Sequence, residues 1–191
     1  MGKILNTIRD LHHPNSQIIG PKSNCLVTKN NTVIKETRYS AGMAQMGYHG
    51  HGNELHKFTF YNELNWLTKL SESDIAPSVI SYDENLLTIE MTYVGEQISK
   101  TNIPIDWEMQ CDNIITILHK HKCSHNDIKP DDILVHNNKL YLVDFGWATE
   151  LGSVIPSNWP KSIGGEFKYS INKFDDKYSL TTSINHILKN E

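Results

Sequence analysis

The chain is 191 residues long, 38% hydrophobic and 21% charged, with a formal net charge of −4. This length suits one domain, or two small lobes sharing a cleft, and the apolar content excludes wholesale disorder. The acidic balance excludes a general nucleic-acid or membrane-surface binder, because no basic excess is there to neutralise phosphates, and no apolar run nears the ~18 residues of a membrane span.

Cys25, Cys111 and Cys123 are odd in number and form no CxxC pair. They read as reduced, partly buried thiols of a cytoplasmic protein. Met1-Gly2-Lys3-Ile4-Leu5-Asn6 has neither the Ser/Thr expected at a myristoylation site nor a signal-peptide core.

Ile4, Leu5, Ile8 and Leu11 fall at helical spacing before His13-Pro14, predicting a short amphipathic helix or arm over 1–16. Residues 24–28 and 32–35 alternate around Lys29-Asn30-Asn31 and predict a β-hairpin. Residues 41–53, rich in Gly, Met and His, predict a loop. Leu55, Phe58, Tyr61, Leu64, Leu67 and Leu70 mark a helix over 54–71. Ala76-Pro77 breaks the chain before two strands, 78–82 and 86–94, with Gly95 at the exit. Trp107, Cys111, Ile114, Ile115 and Leu118 stripe a second helix over 105–122. A hairpin turning at Asn137-Asn138 comes next, then a loop over 147–174, and a final helix opens at Asp176.

Chemistry concentrates in His125-Asn126-Asp127-Ile128-Lys129-Pro130-Asp131-Asp132 and Leu142-Val143-Asp144-Phe145-Gly146. An HxDxKxxx(N/D) loop followed by a DFG triplet, with a hairpin between, resembles the catalytic and metal loops of protein kinases. Phosphoryl transfer depends on positioning and charge neutralisation, so it needs one carboxylate for the hydroxyl proton and others for metal-bound phosphates. The resemblance covers about residues 17–186. It implies an α+β, bilobal fold: a small β-rich N-lobe over about 17–94, a hinge near 92–96 and a truncated helical C-lobe over about 97–191.

The resemblance also assigns roles. Lys35, in Thr32-Val33-Ile34-Lys35, resembles the strand lysine that reaches ATP phosphates, and Glu63 its carboxylate partner on the following helix. Met91-Thr92-Tyr93-Val94-Gly95 resembles a gatekeeper and hinge, with the main chain at Thr92 and Val94 facing adenine. Asp127 is the implied base, and Lys129 the lysine that contacts the transferred phosphate. Asp144 and Asp132 are the implied ligands of Mg2+, or of Mn2+. His125 is expected to pack behind the DFG triplet.

The departures are specific. Asp132 stands where the family has Asn; it cannot donate an amide bond, and with Asp127, Asp131 and Asp144 it gathers like charges that should raise one another's pKa. No GxGxxG loop is present; Gly20, Ser23 and Asn24 offer at most a short nest beside Pro21, which lacks a donor. Asn126 replaces the arginine that grips a phosphorylated activation loop, so constitutive competence is expected. No APE follows; Gly164-Gly165 and Tyr169 are candidates for its place. The chain stops after the helix opened by Asp176, which resembles the family's buried helix F. Such a chain resembles the small kinases linked to tRNA modification or encoded by viruses, and substrate docking is expected to need a protein partner. His49, His51 and His56 form a weak metal pattern. Two rival readings stand beside a Ser/Thr protein kinase: an ATP-binding pseudokinase scaffold, and a small-molecule phosphotransferase, which Lys129-Pro130 disfavours.

Overall fold

The computed structural model describes residues 17–18, 24–37, 52–157, 159–170 and 173–190. The helix read over 1–16, the phosphate-nest residues Gly20 and Ser23, and His49 and His51 lie outside them.

The N-terminal lobe is an antiparallel sheet of β1 (Gln17–Ile18), β2 (Cys25–Val27), β3 (Thr32–Glu36), β4 (Val79–Asp83) and β5 (Thr88–Thr92), in the order β1-β2-β3-β5-β4. The β2–β3 turn has a visible cause. Thr28 Oγ1 accepts the N–H groups of Asn30 and Thr32, at 3.2 and 3.3 Å, and Asn31 takes a left-handed φ of 59°, which Asn tolerates. Side chains alternate along a strand, so with Ile34 and Glu36 buried on one face of β3, Lys35 leaves from the other.

Helix α1 (Gly52–Lys69) corrects the expected stripe. Its inward positions are His56, Phe60, Glu63, Trp66 and Leu67, continued by Leu70 just past its end, while Phe58 and Tyr61 are 43% and 45% exposed. A strict three-residue spacing drifts around a helix of 3.6 residues per turn; steps of four, three, four and three hold one face. Reading only apolar residues hid this, because the true stripe contains a histidine and a glutamate.

The second lobe is built on α2 (Trp107–Lys120) and α3 (Asp176–Asn190), which bury Cys111, Ile114, Ile115 and Leu118, and Leu180, Ile184 and Ile187 respectively. Short strands lie beside them: β6 (Glu96–Gln97), β8 (Ile133–His136) and β9 (Lys139–Leu142) form one sheet, and β7 (Cys123–Ser124) pairs with β10 (Thr149–Glu150). The β8–β9 hairpin turns on Asn137 and Asn138, both left-handed at φ 49° and 61°, as a two-residue turn between twisted strands requires. One continuous apolar cluster runs from Phe60 and Ile89 through Ile128 and Phe145 to Leu180. Among the described residues the fold is α+β, with a sheet-rich N-terminal region and three helices, compatible with a truncated kinase-like bilobal architecture.

Gly95, where the chain passes between lobes, has φ +102°, and a Cβ there would run into the Val135 carbonyl. Gly95→Ala should therefore cost at least ~2 kcal/mol, a fall in Tm of roughly 4–8 °C for a chain of this size. A melt within a degree of the parent would contradict this packing.

Candidate active site

Lys35 is the meeting point of the two lobes. Its Nζ lies 2.7 Å from both carboxylate oxygens of Glu63 and 2.9 Å from Asp144 Oδ1. Strand β3 supplies the lysine, α1 the glutamate, and the turn after β9 the aspartate. Glu63 is only 3% exposed and Lys35 11%, whereas Asp144 keeps 41% of its side chain open. Glu54, an acidic residue nearer to Lys35 in sequence, sits exposed in the first turn of α1.

Asp144 has φ +67°, a conformation that Asp tolerates better than most residues. The following residues are tied to α1 by amides: Asn62 Nδ2 donates to Gly146 O at 3.0 Å and Ala148 O at 2.8 Å, and Trp66 Nε1 to Ala148 O at 3.2 Å. Phe145 is fully buried, its ring 4.6 Å from that of His125.

Asp127 is held at both oxygens. Lys129 Nζ approaches Oδ2 at 3.0 Å, and the main-chain N–H of Gly164 donates to Oδ1. Lys129 also lies 2.9 Å from Asp132 Oδ2, yet that oxygen is buried and receives no hydrogen bond of good geometry. The loop backbone hangs from α3, where Asp176 accepts His125 N at 2.7 Å, Asn126 N at 3.0 Å and Ser124 Oγ at 3.3 Å. His125 lies between Val143 O, 3.0 Å from its Nε2, and the Asp127 N–H, 3.3 Å from Nδ1. A carbonyl only accepts, so the proton is assigned to Nε2.

The charges divide the aspartates. Burial alone would raise the Asp144 carboxyl, but Lys35 and then Lys129 hold it well below its ordinary value; its open side chain lets water moderate that pull. Asp132 goes the other way: burial lifts it, the Asp144 and Asp127 charges add to the rise, and Lys129 only partly offsets them. Burial depresses both lysines, yet Asp144 and Glu63 keep Lys35, and Asp132 and Asp127 keep Lys129, above the usual range. Burial raises Glu63 and Lys35 pulls it back, while burial lowers His125. The expected mutual rise therefore holds for Asp132 and fails for Asp144, because two lysines intervene. Asp131 leaves the cluster altogether, bonding Gln97 Nε2 at 2.7 Å on the surface.

Among the described residues, no group of three His, Cys, Asp or Glu stands ready to hold a metal. The residues present still suit a hard cation. Asp144 keeps part of its side chain open, and Asp132 Oδ2 is a buried oxygen whose near cation is Lys129; oxygen ligands fit magnesium, which keeps much of its own water. At the inter-lobe edge Met91 and Val94 are buried, and Thr92 N–H is spent on Ser78 O at 2.9 Å. Any ligand contact from Thr92 thus falls to its carbonyl.

The structure brings together Lys35, Glu63, Asp127, Lys129, Asp132 and Asp144, as the sequence led us to expect. It adds Asp176, Asn126, Asn62 and Gly164, whose role is to hold main chain. Three of these carried a sequence signal of another kind: Asp176 as an acidic residue opening a helix, Asn126 in place of an arginine and Gly164 as a candidate for the missing APE; Asn62 carried none. Trp147 and Trp159 pack on each other, centroids 5.1 Å apart, and on Phe58 at 6.2 Å. Of the three histidines in the metal pattern, only His56 is described, and it is buried in α1.

No protein-family model matches the chain. Three curated proteins resemble parts of it: a probable casein kinase I homolog of Encephalitozoon cuniculi, 42% identical over 66 residues (31% of this chain, 21% of that protein); a putative serine/threonine-protein kinase of Acanthamoeba polyphaga mimivirus, 28% identical over 134 residues (56% and 47%); and the Aurora kinase of Saccharomyces cerevisiae, 39% identical over 67 residues (34% and 17%). The chain thus spans less than half the length of each. These partial likenesses point to the protein-kinase-like superfamily and to phosphotransfer in general, chemistry that uses ATP and a divalent metal. No helix among the described residues is long and apolar enough to cross a membrane.

A buried acid with a raised pKa lowers stability once the pH exceeds its unfolded value, and that penalty fades as pH falls and the folded group takes up its proton. Without metal, Asp132→Asn should therefore melt higher than the parent near pH 8, by about 2–4 °C if removing the buried charge beside Asp144 and Asp127 recovers ~1 kcal/mol net of the lost Lys129 pair. The gap should narrow towards pH 5. Melting curves at both pH values check this, and a gap that widens on acidification would contradict it.

Proposed function

We propose that this chain is a minimal protein kinase that moves the γ-phosphate of ATP to a serine or threonine hydroxyl of a protein. The observation that carries the reading is that Lys35 is pinned between Glu63 and Asp144 while Lys129, the partner of Asp127, lies near enough to Asp144 to help lower its carboxyl. In this reading ATP lies between the lobes, its adenine edge against Met91, Thr92 and Val94. Lys35 binds the α- and β-phosphates, and its grip by Glu63 keeps the ammonium from wandering. Asp144 and Asp132 hold Mg2+ or Mn2+, which when bound neutralises phosphate charge. Asp127 orients the acceptor hydroxyl and takes its proton as the new P–O bond forms and the bond to ADP breaks. Lys129 stabilises the charge on the transferred group. The assignment to serine or threonine rests on Lys129-Pro130.

The acceptor is a protein, or the chain itself, and docking draws on a partner surface. Asn126 supports activity without a phosphorylated segment: its Nδ2 donates to Trp147 O at 2.9 Å and Thr149 Oγ1 at 3.0 Å, so an uncharged amide occupies the tether. One observation favours the second reading, a weakly catalytic scaffold. Lys129 bridges Asp127 and Asp132, and must share itself with the acceptor phosphate for turnover.

Incubation with ATP and magnesium or manganese, followed by intact-mass measurement beside Asp127→Ala, separates the two. Phosphate added in the parent and not in the variant is the expected result. Nucleotide binding without any transfer, with either metal and an added protein substrate, would select the scaffold.

A further inference from the structure

The loop after the DFG triplet contributes one group to the site that no side chain announces. Gly164 N–H donates to Asp127 Oδ1, on the oxygen opposite the one Lys129 approaches. Several features make this donor a fixed one. Gly165 N–H bonds Ser162 O at 2.9 Å, Phe167 N–H bonds Gly164 O at 3.0 Å, and Ile163 N–H bonds Pro160 O at 3.2 Å. Lys168 Nζ caps the carbonyls of Lys161 and Ile163, at 2.6 and 3.2 Å. Phe167 is buried and sits edge-on to His186 of α3, centroids 5.3 Å apart. The turn is thus tied to itself and anchored in the same helix whose Asp176 carries the catalytic loop.

Position 164 also tolerates little else. Its φ is +73°, and a Cβ would come within 3.0 Å of the Lys168 Cβ and 3.3 Å of the Asn126 carbonyl. Gly165, one residue on, has φ +50° and nothing within 4 Å. The two glycines share a left-handed backbone but differ in what surrounds them.

We infer that Gly164 is a positioning residue: its main-chain N–H, delivered by a rigid turn, orients the Asp127 carboxylate for the acceptor hydroxyl. This rests on the reading of Asp127 as the base. With one oxygen held by Gly164 and the other by Lys129, the carboxylate cannot rotate, and a misplaced base is costly: a displacement of ~1 Å can lose about a hundredfold in rate. The inference also gives the post-DFG segment a function that needs no phosphorylation, since the donor is backbone.

Gly165→Ala is the matched control for Gly164→Ala, because it meets the same backbone penalty in open space. Gly164→Ala should lower kcat at least ~10-fold with KM for ATP unchanged, while Gly165→Ala stays within about twofold of the parent. Equal losses in both variants, or no loss in either, overturn the inference while leaving the kinase reading intact. Absence of transfer in the parent overturns the kinase reading itself. A readout independent of turnover completes the test. In Asp127→Asn the acceptor loses its charge, so the Gly164 amide proton should shift and exchange faster with solvent while that of Gly165 does not; an unmoved Gly164 resonance means that the bond is not made.

Discussion

The Lys35 ammonium sits within 2.9 Å of carboxylates supplied by both lobes, and most of the active-site cleft is organised around it. Such a pair gains little for stability on its own, since the loss of hydration offsets much of the attraction. Its effect is positional. Glu63 can reach the lysine only if α1 lies against β3 with its mixed stripe inward, and Asp144 only if the chain after β9 takes its left-handed turn. Separating the lobes would take Asp144 away from Lys35 and leave the Lys35–Glu63 pair, both in the N-terminal region, intact. The Asp144 contact is therefore the one that ties the two parts together.

Helix α3 plays the matching part on the other side of the cleft. It holds the catalytic loop by the N–H groups of His125 and Asn126 through Asp176, and the segment behind Gly164 through the Phe167–His186 contact. Asn62 and Asn126 add uncharged ties to residues 145–149. Kinases that rely on a phosphorylated segment keep a basic cluster to receive it. Here amide groups do the holding. Asp132 is the exception. Burial lifts its carboxyl and the Asp144 and Asp127 charges add to the rise, with Lys129 only partly offsetting them.

Much of this was legible in the sequence because the chemistry lies in short motifs. The order of elements, the Asn137-Asn138 turn, the Lys35–Glu63 pairing and the Asp127/Asp144 spacing all followed from residue type and position. What escaped was whatever depends on main chain or on direction. The α1 stripe was read partly off its face: Leu67 and Leu70 do point inward, but Phe58 and Tyr61 do not, and Glu63 and His56 are inward residues that an apolar count skips. Gly164 was read only as a stand-in for the missing APE, because an N–H carries no side-chain signature, and the ties made by Asp176 escaped because they reach 50 and 51 residues back. The opposite shifts of Asp132 and Asp144 depend on which lysine lies nearest, a matter of ångströms that spacing does not encode.

The central claim is that these aspartates form a nucleotide-metal site rather than a structural ion cluster. Calorimetric titration of ATP, with and without magnesium, into the parent and into Asp144→Asn tests it most directly. We expect saturable binding to the parent that magnesium tightens at least ~10-fold, a gain of about 1.4 kcal/mol, and little or no tightening in the variant. Equal affinity with and without metal in the parent would contradict the account, and would return Lys35, Glu63 and Asp144 to a role in holding the two lobes together.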